Sequence, residues 1–304
     1  MKILFTGASS FTGFWFVRTL AAAGHEVVAV LTGPRERYEG ARRQRLDLLA
    51  PLARLVPEAA FGSDNFLRLA AGEKFDLLAH HGADVTNYKS PDFDALRALG
   101  NNVHNLRAVL AAVKCPVLLT GTMFEADEGR GNAPLRAFSP YGLSKGLTHE
   151  YFRYHCTVAG LPLGKFVLPN PFGPWEEPRF TAFLMKTWKA GGTPEVKTPD
   201  YVRDNLHVDL LAAVYAQSAA RTAAWPAGEV RFNTSGYVEQ QGAFAQRVAR
   251  EVAARTGWAC GLQLCRQEDF SEPLERANTE PAAPQVPGWN EVRAWDALVD
   301  FYRG

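Results

Sequence analysis

Short apolar runs alternate with stretches of helical spacing along the first half of this 304-residue chain. Lys2–Phe5, Glu26–Leu31, Phe75–His80, Pro116–Thr120 and Leu163–Leu168 read as strands buried on both faces, since they lack the polar alternation of a half-wet strand. Phe11–Ala23, ended by Gly24, and later Asp92–Val113 and Tyr141–Ala159 read as helices between them. Such alternation requires a parallel sheet with helices on both faces. The expected class is α/β, a doubly wound parallel sheet over residues 1–165 with a smaller α/β substrate domain over 166–304. The second region is expected to hold helices around Phe180–Ala190, Gly242–Thr256 and Asn290–Tyr302 and a strand at Val230–Asn233, with some segments returning to the first domain. It would close over the carboxyl ends of the strands, where open α/β sheets bind ligands.

With 47% hydrophobic and 21% charged residues, the composition is that of an ordinary globular protein. A net charge of +1 gives no electrostatic reason to expect nucleic acid or an anionic membrane as partner. No apolar run reaches the roughly 20 residues of a membrane span. "MKILFTG" meets its glycine turn too early for a signal peptide, so the expected location is cytoplasmic. Cys115, Cys156, Cys260 and Cys265 are scattered without metal-ligand spacing; they read as buried free thiols, and no metal is expected.

Between the first strand and first helix lies "TGASSFTG", Thr6–Gly13. Such a turn aims backbone N–H groups and a helix N-terminus at a pyrophosphate, with Phe11 and Thr12 among the residues facing it. Gly7 permits the tight turn and Gly13 close packing of helix on sheet; Ser10 stands midway, where its hydroxyl could bond a phosphate. An ordinary strand-to-helix loop remains the alternative. The second strand ends at Leu31-Thr32, without the acid that would bind the ribose 2′-OH of NAD. Arg35 and Arg37 follow and point to NADP, with NAD also admissible, unless they are solvated surface residues of a loop that also holds Arg42, Arg43 and Arg45. Asp47-Leu48, after a third short segment, would bracket the adenine edge, or Asp47 simply starts a helix. His80 and Gly82 lie where the fourth strand meets the cofactor. His80 and His81 read first as core or backbone-bonded side chains, with His81 also able to face the pocket as a second acid/base.

"FSPYGLSK", Phe138–Lys145, carries the chemistry. Ser139 can cap a helix and Pro140 suits its first position, placing Tyr141 in the first turn and Lys145 one turn on, on the same face. A phenol titrates near pH ~10. A neighbouring ammonium, a helix N-terminus and an oxidised nicotinamide each favour phenolate. Tyr141 could then exchange a proton with a sugar hydroxyl, with Lys145 also holding the nicotinamide ribose.

Together with "DLLAHHGA" (Asp76–Ala83), "NNVHNL" (Asn101–Leu106), "LLTGTMFE" (Leu118–Glu125), "LPNPFGP" (Leu168–Pro174) and "VRDNLHVDLLAA" (Val202–Ala213), these motifs resemble the extended short-chain dehydrogenases/reductases that modify nucleotide sugars. The resemblance spans nearly the whole chain. It implies a Rossmann domain, a nucleotide-sugar substrate and a homodimer paired through Asp92–Val113 and Tyr141–Ala159. It further implies that Thr120 bonds the reacting oxygen and Asn102 orders the lysine through water. Pro169 would pack near the nicotinamide, Thr122 would line the substrate site, Asn170 would hold the substrate phosphates and Arg203 would clamp the diphosphate. Read from the residues alone, Arg203 could instead pair with Asp204, Asn170 could be a turn residue, and the two threonines could end a strand; His207 reads as structural. Family 4,6-dehydratases carry Asp-Glu directly after the threonine, where this chain has Gly121-Thr122, so dehydration is disfavoured; Glu125, Asp127 and Glu128 read as a solvated loop. The missing acid at the second strand also weakens an NAD-retaining 4-epimerase. The expectation is hydride transfer at a hexose carbon, C4 foremost, by an NADP-linked reductase or an epimerase that tolerates NADP. A dinucleotide-sensing regulator and a reductase of a non-nucleotide ketone are the rivals; the Tyr141/Lys145 pair argues against the first and Arg203 with Asn170 against the second.

Overall fold

Seven parallel strands form the main sheet: β1 (Lys2–Thr6), β2 (Glu26–Val30), β3 (Arg54–Val56), β4 (Leu77–His80), β5 (Val117–Thr122), β6 (Leu163–Leu168) and β7 (Glu229–Phe232). The computed structural model, which describes residues 1–304, orders them β7-β6-β5-β4-β1-β2-β3. The order reverses between β1 and β4, the switch point at which doubly wound sheets take ligands. Helices α1 (Phe11–Ala22), α2 (Gly40–Leu49), α3 (Asp64–Gly72), α4 (Ala95–Asn102), α5 (Leu106–Val113) and α6 (Pro140–Ala159) accompany this sheet.

The chain divides into two compact units. The first holds Met1–Glu128, Arg136–Leu168 and Ala212–Asn233, and the second Gly129–Leu135, Pro169–Leu211 and Thr234–Gly304. The strand expected at Val230–Asn233 therefore belongs to the main sheet, as β7 paired on β6, rather than to the smaller domain.

Local chemistry sets the helix ends. Ser10, Ser63, Asp94 and Ser139 cap α1, α3, α4 and α6 by accepting first-turn N–H groups, and Gly160 ends α6 in the left-handed conformation. The single helix expected over Asp92–Val113 is two. Asn105 is left-handed (φ +50°) and its Nδ2 donates to the Gly62 carbonyl at 2.8 Å, a tertiary bond that interrupts the spiral.

Apolar side chains fill both faces of the main sheet. On one, Leu4, Val28, Phe66, Leu78, Val109 and Phe152 form a continuous core. On the other, Phe16 of α1 stacks on Tyr215 at 3.9 Å between centroids and meets Phe166 edge-on. The outward side of α6 shows Leu143, Leu147, Tyr151, Tyr154 and Val158 to solvent.

In the second unit, strand Val202–His207 lies between Tyr237–Gln240, antiparallel, and Glu275–Ala277, parallel, and also pairs with Asn170–Phe172. Asp204 accepts the N–H groups of Gly236 (2.7 Å) and Asn278 (3.0 Å), tying three segments together. Helices α7 (Phe180–Lys189), α8 (Val208–Ala223), α9 (Gln241–Thr256) and α10 (Glu291–Arg303) complete the chain. Trp188, Phe244 and Trp295 centre the second unit's core. All four cysteines are free, but only Cys115 and Cys156 are buried; Cys260 and Cys265 are partly exposed. No helix is long and apolar enough to cross a membrane.

Phe16 is fully buried and touches Tyr215, Phe166 and His81, so Phe16→Ala should cost about 3–5 kcal/mol of stability, read from denaturant unfolding. A loss under ~1 kcal/mol would mean that the face of the sheet beneath α1 collapses to fill the space.

Candidate active site

β1 runs into Gly7, whose φ of +83° favours glycine. A Cβ there would lie 2.8 Å from the backbone N and Cα of Gly82, which stands beside the turn with its N–H on Thr6 Oγ1. Ser10 departs from its expected role. Its hydroxyl donates to Gly7 O (2.9 Å) and accepts from Gly13 N (3.0 Å), so it braces the turn instead of presenting itself to a phosphate. Arg45 is fully buried and donates to Ser9 O at 3.1 Å, holding the same turn from α2. The amides of Phe11 and Thr12 open the N-terminus of α1, and its first turn carries no acid. That donor set fits a pyrophosphate.

Successive residues of β4 point to opposite faces. His80 packs between Phe61 and Phe152, with Nδ1 on Thr6 Oγ1 and Nε2 on the Asn102 carbonyl, both 3.1 Å. Both ring nitrogens are thus spent in the core, and the expected cofactor contact of His80 is not made by its side chain. His81 faces the other way, with Nδ1 3.0 Å from Thr120 Oγ1 and Nε2 3.0 Å from Thr12 Oγ1 and 3.2 Å from Ser10 Oγ. Burial first, then the nearby charge of Lys145, pushes both imidazoles down to about 3. With both ring nitrogens on hydroxyls, His81 sits as the hydrogen-bonded core side chain that was the first of the two readings.

At the end of β2, Thr32 bonds the Tyr38 hydroxyl through both its N–H and its Oγ1, each at 3.1 Å. Arg35 is diverted: its Nη2 pairs with Asp47 at 2.5 Å, and Arg43 joins the same carboxylate at 3.0 Å. The Arg35 contact, foremost, holds Asp47 below its ordinary range. Asp47 and Leu48 lie near the end of α2, ahead of β3 rather than after a third strand, and Asp47 does not start a helix. Arg37 and Arg42, together with Thr32, Gly33, Tyr38 and Glu39, line a cavity of about 360 Å³.

Ser139 Oγ accepts the Gly142 N–H at 3.0 Å and Pro140 begins α6, which places Tyr141 in the first turn with its ring against Tyr88 and Phe93. One turn on, Lys145 is buried and donates from Nζ to the Thr120 carbonyl at 2.5 Å. Burial pushes this ammonium down to about 8; Glu125 opposes the shift and Lys165 adds to it. Asn102 bridges the Asp84 N–H (2.9 Å) and Thr148 Oγ1 (3.2 Å), bracing α4 against α6. Thr120 is buried with its hydroxyl on His81, whereas Thr122 is the last residue of β5 and gives its N–H to Glu125 Oε1 at 2.7 Å. Glu125 and Glu128 are not solvated, as expected from sequence, but almost fully buried, each 2.6 Å from Lys165 Nζ. The lysine inside the apolar run "LGKFVL" was the available sign of a buried partner.

In the second unit, Pro169 precedes the strand Asn170–Phe172, and Asn170 lies opposite Asn205. Arg203 is buried over the Tyr201 ring. Its Nη1 donates to the carbonyls of Val202 and Pro273, and its Nη2 pairs with Glu272 at 2.7 Å. Its ion partner is Glu272 rather than the adjacent Asp204. His207 ends its strand with Nδ1 on Asp209 at 2.6 Å.

The class this fold and site define is a nucleotide-binding α/β enzyme with a Tyr/Lys pair beside a glycine-rich turn. The sequence model of the NAD dependent epimerase/dehydratase family matches residues 3–233, and the chain belongs to that family. No curated protein sequence matches it. Among solved structures it resembles the UDP-glucuronic acid 4-epimerase of Bacillus cereus, crystallised with a fluorinated UDP-sugar and NAD (TM-score 0.76, 16% identity, covering 100% of this chain and 99% of that one). It also resembles the dTDP-glucose 4,6-dehydratase of Streptomyces venezuelae (0.75, 18%, 100% and 97%) and the UDP-glucose 4-epimerase of Thermus thermophilus with NAD (0.71, 21%, 100% and 99%). At these identities the likeness speaks for the fold.

A lysine held at about 8 against an unfolded value of 10.5 binds its proton less tightly when folded, so between those values this group makes stability rise with pH. Lysine side-chain NMR of the free protein should show one ammonium titrating near pH 8, absent in Lys145→Met. A lowest midpoint above 10 would contradict the site's electrostatics.

Proposed function

We propose that the protein moves hydride at a hexose carbon, C4 foremost, of a nucleotide-linked sugar, using NADP in preference to NAD. The observation that carries this reading is the placement of Tyr141 in the first turn of α6, one turn from a lysine fixed to the backbone of β5. When bound, the nicotinamide supplies reversible hydride acceptance. Tyr141 exchanges the hydroxyl proton of the sugar, and the cation of Lys145 together with the N-terminus of α6 stabilises its phenolate. The hydroxyl role that the resemblance gives to Thr120 is assigned here to Thr122 at the end of β5, since the hydroxyl of Thr120 bonds His81. Asn170 and Arg203 are assigned to the substrate phosphates, Arg203 releasing the half-exposed Glu272 to do so.

Dehydration finds little support. Met123 and Phe124 follow Thr122; of the next carboxylates, Glu125 and Glu128 are committed to Lys165 and Asp127 is exposed on the turn between them. A 4,6-elimination needs a free acid and base there. Reduction or epimerisation needs Tyr141 alone.

Tyr141→Phe should lower turnover of a 4-keto or 4-hydroxy nucleotide sugar by about 10²–10⁴-fold while leaving dinucleotide affinity nearly unchanged. Turnover within tenfold of wild type would defeat the assignment, and would suit a regulator or a different proton carrier.

For the cofactor, two guanidiniums against the single carboxylate of Glu39 leave the cavity after β2 net positive, which suits a 2′-phosphate. Arg37→Ala with Arg42→Ala should weaken NADPH at least tenfold in a fluorescence titration and leave NADH unmoved. Equal wild-type affinity for the two cofactors would refute the preference.

A further inference from the structure

We propose that His81 is a positioning residue, carrying a directed chain of hydrogen bonds from β5 to the turn after β1 and holding that turn ready for the dinucleotide. The inference rests on the dinucleotide reading above but concerns a residue with no contact role in it.

The direction of the chain follows from counting protons. Ser10 has one hydroxyl proton, and its nearest acceptor is Gly7 O at 2.9 Å. The same oxygen already accepts from Gly13 N, so toward His81 it can only accept once more. His81 Nε2 must then carry the ring proton, shared between Ser10 Oγ and Thr12 Oγ1. In a neutral imidazole that leaves Nδ1 bare, so Thr120 donates its hydroxyl proton to it across 3.0 Å. The run is Thr120 Oγ1–H to Nδ1, Nε2–H to Ser10, Ser10 Oγ–H to Gly7 O, all donors pointing one way.

The surroundings favour the neutral ring this requires. Phe16 lies edge-on to His81 at 5.1 Å and Phe5 tilts over it at 5.8 Å, giving apolar walls. The titratable groups near it are Lys145 and His80, both of which disfavour a second positive charge, and Tyr215, a phenol that shares Thr120 with it and that burial keeps neutral. Buried hydrogen bonds in a chain polarise one another, while an unmatched member costs the desolvation of its partners. His81 therefore ties the two ends of the site: Thr120, whose carbonyl receives Lys145, and Gly7, whose left-handed turn opens α1.

The tautomer is measurable without any ligand. Two-dimensional ¹⁵N–¹H correlation on histidine-labelled protein, assigned with His81→Leu, should show a neutral Nε2–H ring at position 81 from pH 5 to 8. An Nδ1–H ring, or an imidazolium within that range, would overturn the directed chain. His81→Leu should still melt cooperatively yet bind NADPH and NADH at least tenfold more weakly; unchanged affinity would overturn the positioning role. Should that variant fail to fold, Ser10→Ala breaks the same link with His81 in place. It should weaken both dinucleotides by a similar factor and shift the Nε2 signal, and no change in either would refute the proposal. If the wild type binds neither dinucleotide, the cofactor reading is what fails, and the tautomer experiment still decides the hydrogen-bond chain.

Discussion

Thr120 is the point at which the first unit is tied together. Its carbonyl takes the buried ammonium of Lys145 from α6, and its side chain takes His81, the residue after β4, which reaches on to Ser10 and Thr12. One residue of the sheet thus receives the helix that carries Tyr141 and, through an imidazole, the turn that begins α1. A buried ammonium costs several kcal/mol to desolvate, so Lys145 stays charged near neutrality only because its hydrogen bond and a nearby carboxylate repay part of that penalty.

That carboxylate belongs to a second buried system. Glu125 and Glu128, which follow β5, meet Lys165 of β6, and Arg231 of β7 reaches Glu128 at 3.2 Å. The cluster laces three neighbouring strands. Charge clusters of this kind are poor stabilisers compared with an apolar core, but they are intolerant of misplacement because removing one member strands the rest. Here the consequence is geometric: Glu125 also holds the Thr122 N–H, so the end of β5 is set by charge pairing as well as by its ladder.

Much of this was legible in the sequence, and the boundary of legibility is physical. Strands buried on both faces announce themselves by uninterrupted apolar runs, and the Ser139-Pro140 start of α6 is local chemistry, as is the turn at Gly7. What could not be read depends on partners distant in the chain. Asn105 breaks the expected long helix because Gly62 offers it an acceptor. Arg35 looked free for a phosphate until α2 brought Asp47 to it. The acids after β5 looked solvated because the lysine that neutralises Glu128 stands 37 residues on. The fate of Arg203 likewise turned on Glu272, 69 residues away, while the adjacent Asp204 looked the simpler partner.

The division of the first unit into three stretches has a consequence for how the molecule is made. Its last stretch, Ala212–Asn233, supplies β7, which covers the outer edge of β6. On the ribosome, β6 emerges long before its neighbour, because Pro169–Leu211 of the other unit must be synthesised in between. During that interval β6 presents a bare, mostly apolar edge, and Glu128 and His149 wait for Arg231 and Glu229. A nascent chain, or a fragment ending before Glu229, therefore exposes a strand edge suited to pairing with another copy. Expression conditions that slow synthesis through residues 169–228 would lengthen that exposure, so yield should depend on translation rate even though the finished fold is the same.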